Sequence, residues 1–312
     1  MYFHRRTAFA ITATLLSATA WAQQQTWVVP FPAGSSTDVI ARHVAKELEA
    51  TEHWTIIVDN RPGAGGGIAA NYVARQKPGS DIYFVGTVAN SVGVSYYGKT
   101  VPNLTRDLEP IVQFTSAPFV IAASAAGKLG SFKTLLDGLK SGKLKEVTFG
   151  SGGNGSANHL AGEMLAKATG FRFVHVPYKG AANAAIDVAG GRLDLVIGSI
   201  IDIGPMTSSG KLVALATTGA KRVDAYPDVP TVSELIPGYA AVGWHGLFAP
   251  KGTDAQTLVR INGAVNKILK KSTVADELRK LGATAASGDR ADFTRFVETD
   301  MAQWANSLPD QR

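Results

Sequence analysis

The chain has 312 residues, 31 Lys and Arg against 25 Asp and Glu, a formal charge of +6, and 45% hydrophobic residues. Such a length suggests about two domains, and so small a charge excess beside that hydrophobic share excludes disorder over most of the chain. The absence of cysteine removes disulfides, thiolate metal sites, iron–sulfur clusters and cysteine nucleophiles together.

Residues 1–6 carry Arg5 and Arg6, residues 7–18 form an apolar run, and Ala20-Trp21-Ala22 sets small residues at a cleavage position. The three parts predict a signal peptide over residues 1–22, cut after Ala22. Its apolar run is shorter than the roughly 20 residues that cross a bilayer. Arg pairs are common in positively charged leaders, so Arg5-Arg6 fits general export better than the twin-arginine route. The lysine clusters at 140–145 and 267–271 lack interleaved aromatics, and no nucleic-acid partner is expected.

From residue 26 a short apolar run, 27–31, leads through a polar loop at 33–38 into helical spacing at Val39, Ile40, His43, Val44 and Leu48. A second strand at 54–58 ends in Asp59-Asn60-Arg61-Pro62 and the glycine run 63–67, after which a helix resumes over 68–75. Strands follow at 82–86 and 111–114, and the apolar run 118–122 is long enough to pass between lobes. The middle repeats the pattern: helix 131–139, strand 147–150, glycine loop, helix 156–169, strand 171–176, helix 181–188, then strands 193–198 and 212–217. Residues 244–250 are read as returning to the first lobe, and helices follow at 254–270, 274–281 and 292–308. Alternating strands and helices predict an α/β protein with mostly parallel sheets.

Two loops open helices and share one composition: residues 33–38 and 151–158, both rich in Gly, Ser, Thr and Asn. A helix N-terminus offers unpaired N–H groups and partial positive charge, glycine lets a ligand approach, and short polar side chains add donors. Both loops read as cradles for an anion such as a carboxylate, although plain capping uses the same residues. Ligands in open α/β sheets bind at the carboxyl ends of strands and between lobes, which favours two such loops acting on one ligand.

Other chemistries find little support. Gly150-Ser151-Gly152-Gly153-Asn154-Gly155 matches G-x-G-x-x-G, but no acid follows at the distance that holds a ribose. No phosphate-binding G-x-x-x-x-G-K-[ST] occurs, and Ala89-Asn90-Ser91-Val92-Gly93 lacks the first glycine of a nucleophile elbow. The histidines are not paired at metal-ligand spacing. His159, in the first turn after the glycine loop, either faces a cleft or caps locally. Arg61 either grips a carboxylate or, the favoured reading, pairs locally beside the glycine run. Trp244 either walls a pocket or fills core.

Four strings carry a resemblance: Pro30-Phe31-Pro32-Ala33-Gly34-Ser35-Ser36-Thr37-Asp38, Asn60-Arg61-Pro62-Gly63-Ala64-Gly65-Gly66, Gly152-Gly153-Asn154-Gly155-Ser156 with Asn158-His159-Leu160-Ala161-Gly162-Glu163, and His175-Val176-Pro177-Tyr178-Lys179-Gly180. With Ala220-Lys221-Arg222, Pro227-Asp228-Val229-Pro230-Thr231-Val232 and Gly246-Leu247-Phe248-Ala249-Pro250, they run through nearly the whole chain beyond the leader. The sequence resembles the Bug family of tripartite tricarboxylate transporter receptors. The resemblance implies a non-catalytic periplasmic binding protein of two α/β lobes, type II-like, with lobe 1 at 23–120 plus 246–312, lobe 2 at 121–245, and a hinge near 119–122 and 244–249. It implies a small carboxylate held by loop groups and water, delivered to a membrane permease by a monomer that needs no cofactor or metal.

Transferred residue by residue, the family pattern implies contacts from Ala33, Gly34, Ser36 and Thr37 on one side and Ser151, Asn154, Ser156 and His159 opposite. Asn90, Ser91, Ser199 and Trp244 complete the expected site. The chain departs from the pattern at Ser35 and Gly67, in a shortened 77–84 turn, and at Gly198-Ser199, where Phe-Asp is frequent. The last departure leaves open what meets the far end of the ligand. Two other classes remain: a sensory receptor that hands its closed form to a signalling protein, and an enzyme acting on a carboxylate.

Overall fold

The computed structural model describes residues 24–91, 93 and 98–307. The expected leader lies outside the described residues, as do Val92 and Leu308. In chain order the first half comprises Gln24–Val29 (β1), Ser36–Glu52 (α1), Thr55–Asn60 (β2), Gly67–Ala74 (α2), Ile82–Thr87 (β3), Val88–Ser91 (α3), Leu108–Pro118 (β4), Val120–Ser124 (β5), Phe132–Lys140 (α4) and Val147–Ser151 (β6). Then come Ala157–Thr169 (α5), Phe173–Pro177 (β7), Ala181–Ala189 (α6), Leu195–Gly198 (β8), Ile200–Ser208 (α7), Leu212–Thr217 (β9) and Val242–Pro250 (β10). Ala255–Leu269 (α8), Ser272–Lys280 (α9), Thr284–Ala285 (β11) and Arg290–Ser307 (α10) complete the chain as described.

Two sheets result, ordered β11-β4-β10-β3-β1-β2 and β7-β6-β8-β5-β9. In the first, β1 lies parallel to β2, with Gln24 opposite Thr55, and parallel to β3, with Thr26 opposite Ile82. In the second, β6 lies parallel to β7 and β8. Antiparallel strands join each parallel core: β10 against β3 and β4, and β5 against β8 and β9. Trp27, Val28 and Val29 are buried in succession, as a strand covered by helices on both faces requires. Helix α1 covers one face with Ile40, Ala41, Val44, Ala45 and Leu48, a stripe at helical spacing. Beneath it Trp27 stacks on Phe114 at 5.4 Å. On the second sheet Phe149 and Leu195, with Leu160 of α5 over them, belong to a core that continues through Phe119, Tyr239 and Ala241 into the first.

The crossings between sheets correct part of the sequence reading. The first passes through Phe119, as expected. The second lies before β10, because residues 242–250 hydrogen-bond in the first sheet, to β4 along their whole length and to β3 over 245–248. Residues 242–245, read as part of lobe 2, pair in the first sheet, and the second passage between the sheets falls between Thr218 and Ala241. Thr218 ties the two crossings together. Its amide donates to Phe119 O at 3.0 Å, its Oγ1 accepts from Phe119 N at 2.8 Å, and Ala241 N donates to Thr218 O at 2.9 Å.

A second contact joins the lobes at the start of α7. Gly282, at φ +73° in the turn after α9, sits so close to Ile200 that a Cβ there would collide with the isoleucine side chain. Its neighbour Ile201 packs on the core of the first sheet.

Candidate functional site

Four helix N-termini open onto one cavity between the sheets, with ≈ 700 Å³ of space partly open to solvent. Each follows a strand at its carboxyl end: α1 after β1, α5 after β6, α6 after β7 and α7 after β8. Ser36 and Thr37 of α1 face Ser156, Ala157 and Asn158 of α5, Gly180 and Ala181 before and in α6, and Ser199 and Asp202 at α7. First-turn amides have no intrahelical carbonyl to bond, so the cavity is ringed by N–H donors and by the positive ends of four helix dipoles. No Lys or Arg lines it among the described residues. The arrangement can hold an anion through backbone amides and hydroxyls alone.

The α1 loop is built by Asp38. Ser35 caps the helix by accepting from Asp38 N at 3.4 Å, while Gly34 N donates to Asp38 Oδ2 at 2.9 Å. Arg42 Nε and Asn60 Nδ2 each reach Asp38 Oδ1 at 3.0 Å. Burial alone would raise the carboxyl's pKa, but these donors hold it below its usual value. Gly34 stands at φ +81°, a conformation that glycine adopts freely. It was expected to touch ligand, yet its N–H is already committed to Asp38 and it does not line the cavity. Ala33 is likewise exposed outside it. Ser36 and Thr37 line it.

In the glycine loop, Ser156 caps α5 and donates its own hydroxyl to Gly153 O at 2.7 Å. Ser151, Asn154 and His159, three more expected contacts, stand away from the cavity lining. Ser151 Oγ shares a 2.6 Å hydrogen bond with His175 Nε2, and the His175 ring stacks on His159 at 3.9 Å. Gly155 N donates to His159 Nδ1 at 3.1 Å, which leaves the ring's other nitrogen, 3.5 Å from Glu163, to carry the proton of the neutral form. Burial, and then the neighbouring His159, push His175 down to about 4. Ser151, His159 and His175 brace the loop from behind.

The remaining wall comes from the first sheet and its crossings: Thr87, Phe119, Gly243, Trp244 and His245. His245 Nδ1 bonds Thr115 Oγ1 at 2.9 Å, and burial pushes its pKa down to about 4. Trp244 satisfies both sequence alternatives: its ring is buried, it borders the cavity, and its Nε1 donates to Asp300 Oδ2 at 2.8 Å. Asn90 and Ser91 are buried in α3 and do not line the cavity. Asn90 Oδ1 accepts from Thr87 N at 3.0 Å, which fixes the turn out of β3. Arg61 pairs with Asp59 at 2.8 Å and lies over the Tyr72 ring, the favoured structural role. Among the described residues no three His, Asp or Glu side chains gather as a metal site.

The family model described as the tripartite tricarboxylate transporter family receptor matches residues 40–310. The chain belongs to this receptor family. It is 32% identical to protein BugT of Bordetella pertussis over 283 residues, which cover 89% of this chain and 86% of BugT. Two solved structures share its architecture closely. One is Rpa4515 of R. palustris with adipate, at TM-score 0.86 and 30% identity, covering 92% of this chain and 97% of that one. The other is MatC of Rhodopseudomonas palustris with bound malate, at TM-score 0.83 and 26% identity, covering 92% and 99%. The two-lobe α/β fold and the solute-binding role of the family are thereby those of this chain.

Within this receptor the cavity also holds groups that sequence reasoning passed over. Asn158 lines it one residue before the expected His159, while its side chain ties the loop to β8 by donating to Ile197 O at 2.9 Å. Gly180 was quoted in a matching string but assigned no contact. Asp202 was not singled out, although Ser199-x-x-Asp202 spells a capping box that the structure contains.

Proposed function

We propose that the chain is an exported receptor that captures a small organic carboxylate between its lobes and delivers it to a tripartite tricarboxylate-type membrane permease. The observation that carries this reading is the convergence of four helix N-termini from both lobes on one cavity without a cationic side chain. Two relatives of the same architecture hold adipate and malate, which supports the carboxylate class. A ligand favours closure only through contacts it makes in the closed form, so donors on both lobes matter. The candidate contacts are Ser36 and Thr37 on one side and Ser156, Asn158, Gly180 and Ser199 on the other, with Trp244 and His245 at the back. The signal peptide cut after Ala22 and the monomeric state belong to the same reading.

The test is a thermal shift of the purified protein against a panel of organic acids, with analysis of any acid that binds. Ligand at about 100 times its dissociation constant adds about 2.7 kcal/mol of stability, enough to raise the midpoint by several degrees. A shift with the acid recovered intact supports a receptor, whereas conversion of the acid points to an enzyme. Capture of a signalling protein by the liganded form in place of the permease would favour the sensory alternative.

Thr37→Ala is expected to weaken binding of the identified acid by about two- to tenfold, the range of one lost neutral hydrogen bond, and Ser156→Ala by a similar factor, through loss of the cap and of the Gly153 bond that hold the α5 N-terminus. Titration calorimetry reads this directly, and unchanged affinity in both variants removes these residues from the site.

A further inference from the structure

We infer that Asp202 makes the cavity bipolar, so that the receptor selects carboxylates that also carry an ammonium group, the amino-acid class, over the matching acids that lack it. This rests on the carboxylate reading above and adds the chemistry of the ligand's other end.

Asp202 is the one formally charged side chain in the cavity lining among the described residues. It lies three residues into lobe 2's α7, where Ser199 and Asp202 form a reciprocal capping box: Asp202 Oδ2 accepts from Ser199 Oγ at 2.7 Å and from Ser199 N at 3.4 Å. Every side-chain hydrogen bond of Asp202 to a described residue uses Oδ2. Oδ1 has none, and no Lys or Arg borders the cavity to neutralise it. Burial raises the carboxyl above its usual pKa, and the Ser199 bonds work against that rise.

The other three helix ends carry no acid that lines the cavity. Asp38 of α1 is spent on Arg42, Asn60 and the Gly34 amide, and points away from it. One side of the cavity therefore offers unpaired amides to an anion, while the α7 end offers an unpaired acceptor to a cation. A ligand with both charges satisfies both ends, and one with carboxylates alone must set an anion against Asp202.

The test titrates the purified protein with matched pairs: L-aspartate and succinate, L-glutamate and glutarate, L-2-aminoadipate and adipate. In the native protein the ammonium-bearing member of the best-bound pair is expected to bind at least about tenfold more tightly, the worth of a charged hydrogen bond. Asp202→Asn keeps an oxygen for the capping box and is expected to bring that pair within about threefold. Asp202→Ser gives the same comparison should Asn disturb the cap. Equal or tighter binding of the unaminated acids by the native protein overturns the inference and leaves the carboxylate reading standing. A preference that survives both substitutions also overturns it. Binding of none of these six acids overturns this inference, while the wider panel of organic acids decides the carboxylate reading separately.

Discussion

Ala157→Trp is expected to weaken ligand capture by about a hundredfold or more, equal to about 2.7 kcal/mol, while the unliganded protein melts within a few degrees of the native one. Ala157 is the first residue of α5, half-buried, and lines the cavity between Ser156 and Asn158. A side chain at a first helical position projects beyond the preceding turn, so an indole there enters the cavity beside the core on whose edge Ala157 packs. Trp costs a helix only a few tenths of a kcal/mol against Ala. The substitution also sets a bulky group between the α1 and α5 N-termini, which a closed ligand must bridge. Titration calorimetry with the acid identified by thermal shift measures the loss, and the melting curve of the free variant separates blockage from misfolding. Native-like affinity would place the ligand outside this cavity.

Much of this arrangement was legible in the sequence, and the misses have physical reasons. The loop at 33–38 and the loop at 151–158 both proved to open helices onto the cavity, because strand, polar loop and capped helix leave a strong local signature. Which side chain of a first turn faces the ligand is less visible. Successive helical residues point about 100° apart, so Asn158 lines the cavity while His159, one position on, turns into the stack with His175. Ser151 looked like a donor by composition, but strand alternation points it towards the same stack. Gly34 looked available until Asp38, four residues on, was found holding its amide.

The wall formed by Thr87, Gly243 and His245 needed tertiary information. It depends on β10 lying antiparallel between β3 and β4, with His245 opposite Thr87, and no local pattern announces that pairing. The same pairing moved the second crossing from 244–249 to the Thr218–Ala241 junction. Asp202 lies one helical turn beyond the departure at Gly198-Ser199. There the capping box already announced an acid beside the cleft.

Trp244→Ala is expected to cost about 3–5 kcal/mol of stability, the range for removing a large buried aromatic, and Trp244→Phe about 1–3 kcal/mol. The indole is buried on β10, meets Phe293 edge-on at 5.7 Å, and lies 6.1 Å from Phe248. Its Nε1 and that of Trp304, at 2.8 and 2.9 Å, donate to the two oxygens of Asp300. Burial raises the Asp300 pKa, and these two indole donors work against that rise. Alanine deletes both the ring and one donor, leaving a cavity beside a buried carboxylate. Phenylalanine refills most of the volume and leaves only the carboxylate under-solvated. The gap between the two variants measures packing, and the phenylalanine loss measures the hydrogen bond. At about 2–4 °C per kcal/mol for a chain near this size, alanine should lower the midpoint by about 6–20 °C. Equal losses in the two variants would mean that the bond to Asp300, and not ring packing, anchors α10 to β10; a loss under about 1 kcal/mol in the alanine variant would contradict the buried position of the ring. Because the same indole borders the cavity, its anchoring by Asp300 also fixes the back wall against which a ligand closes.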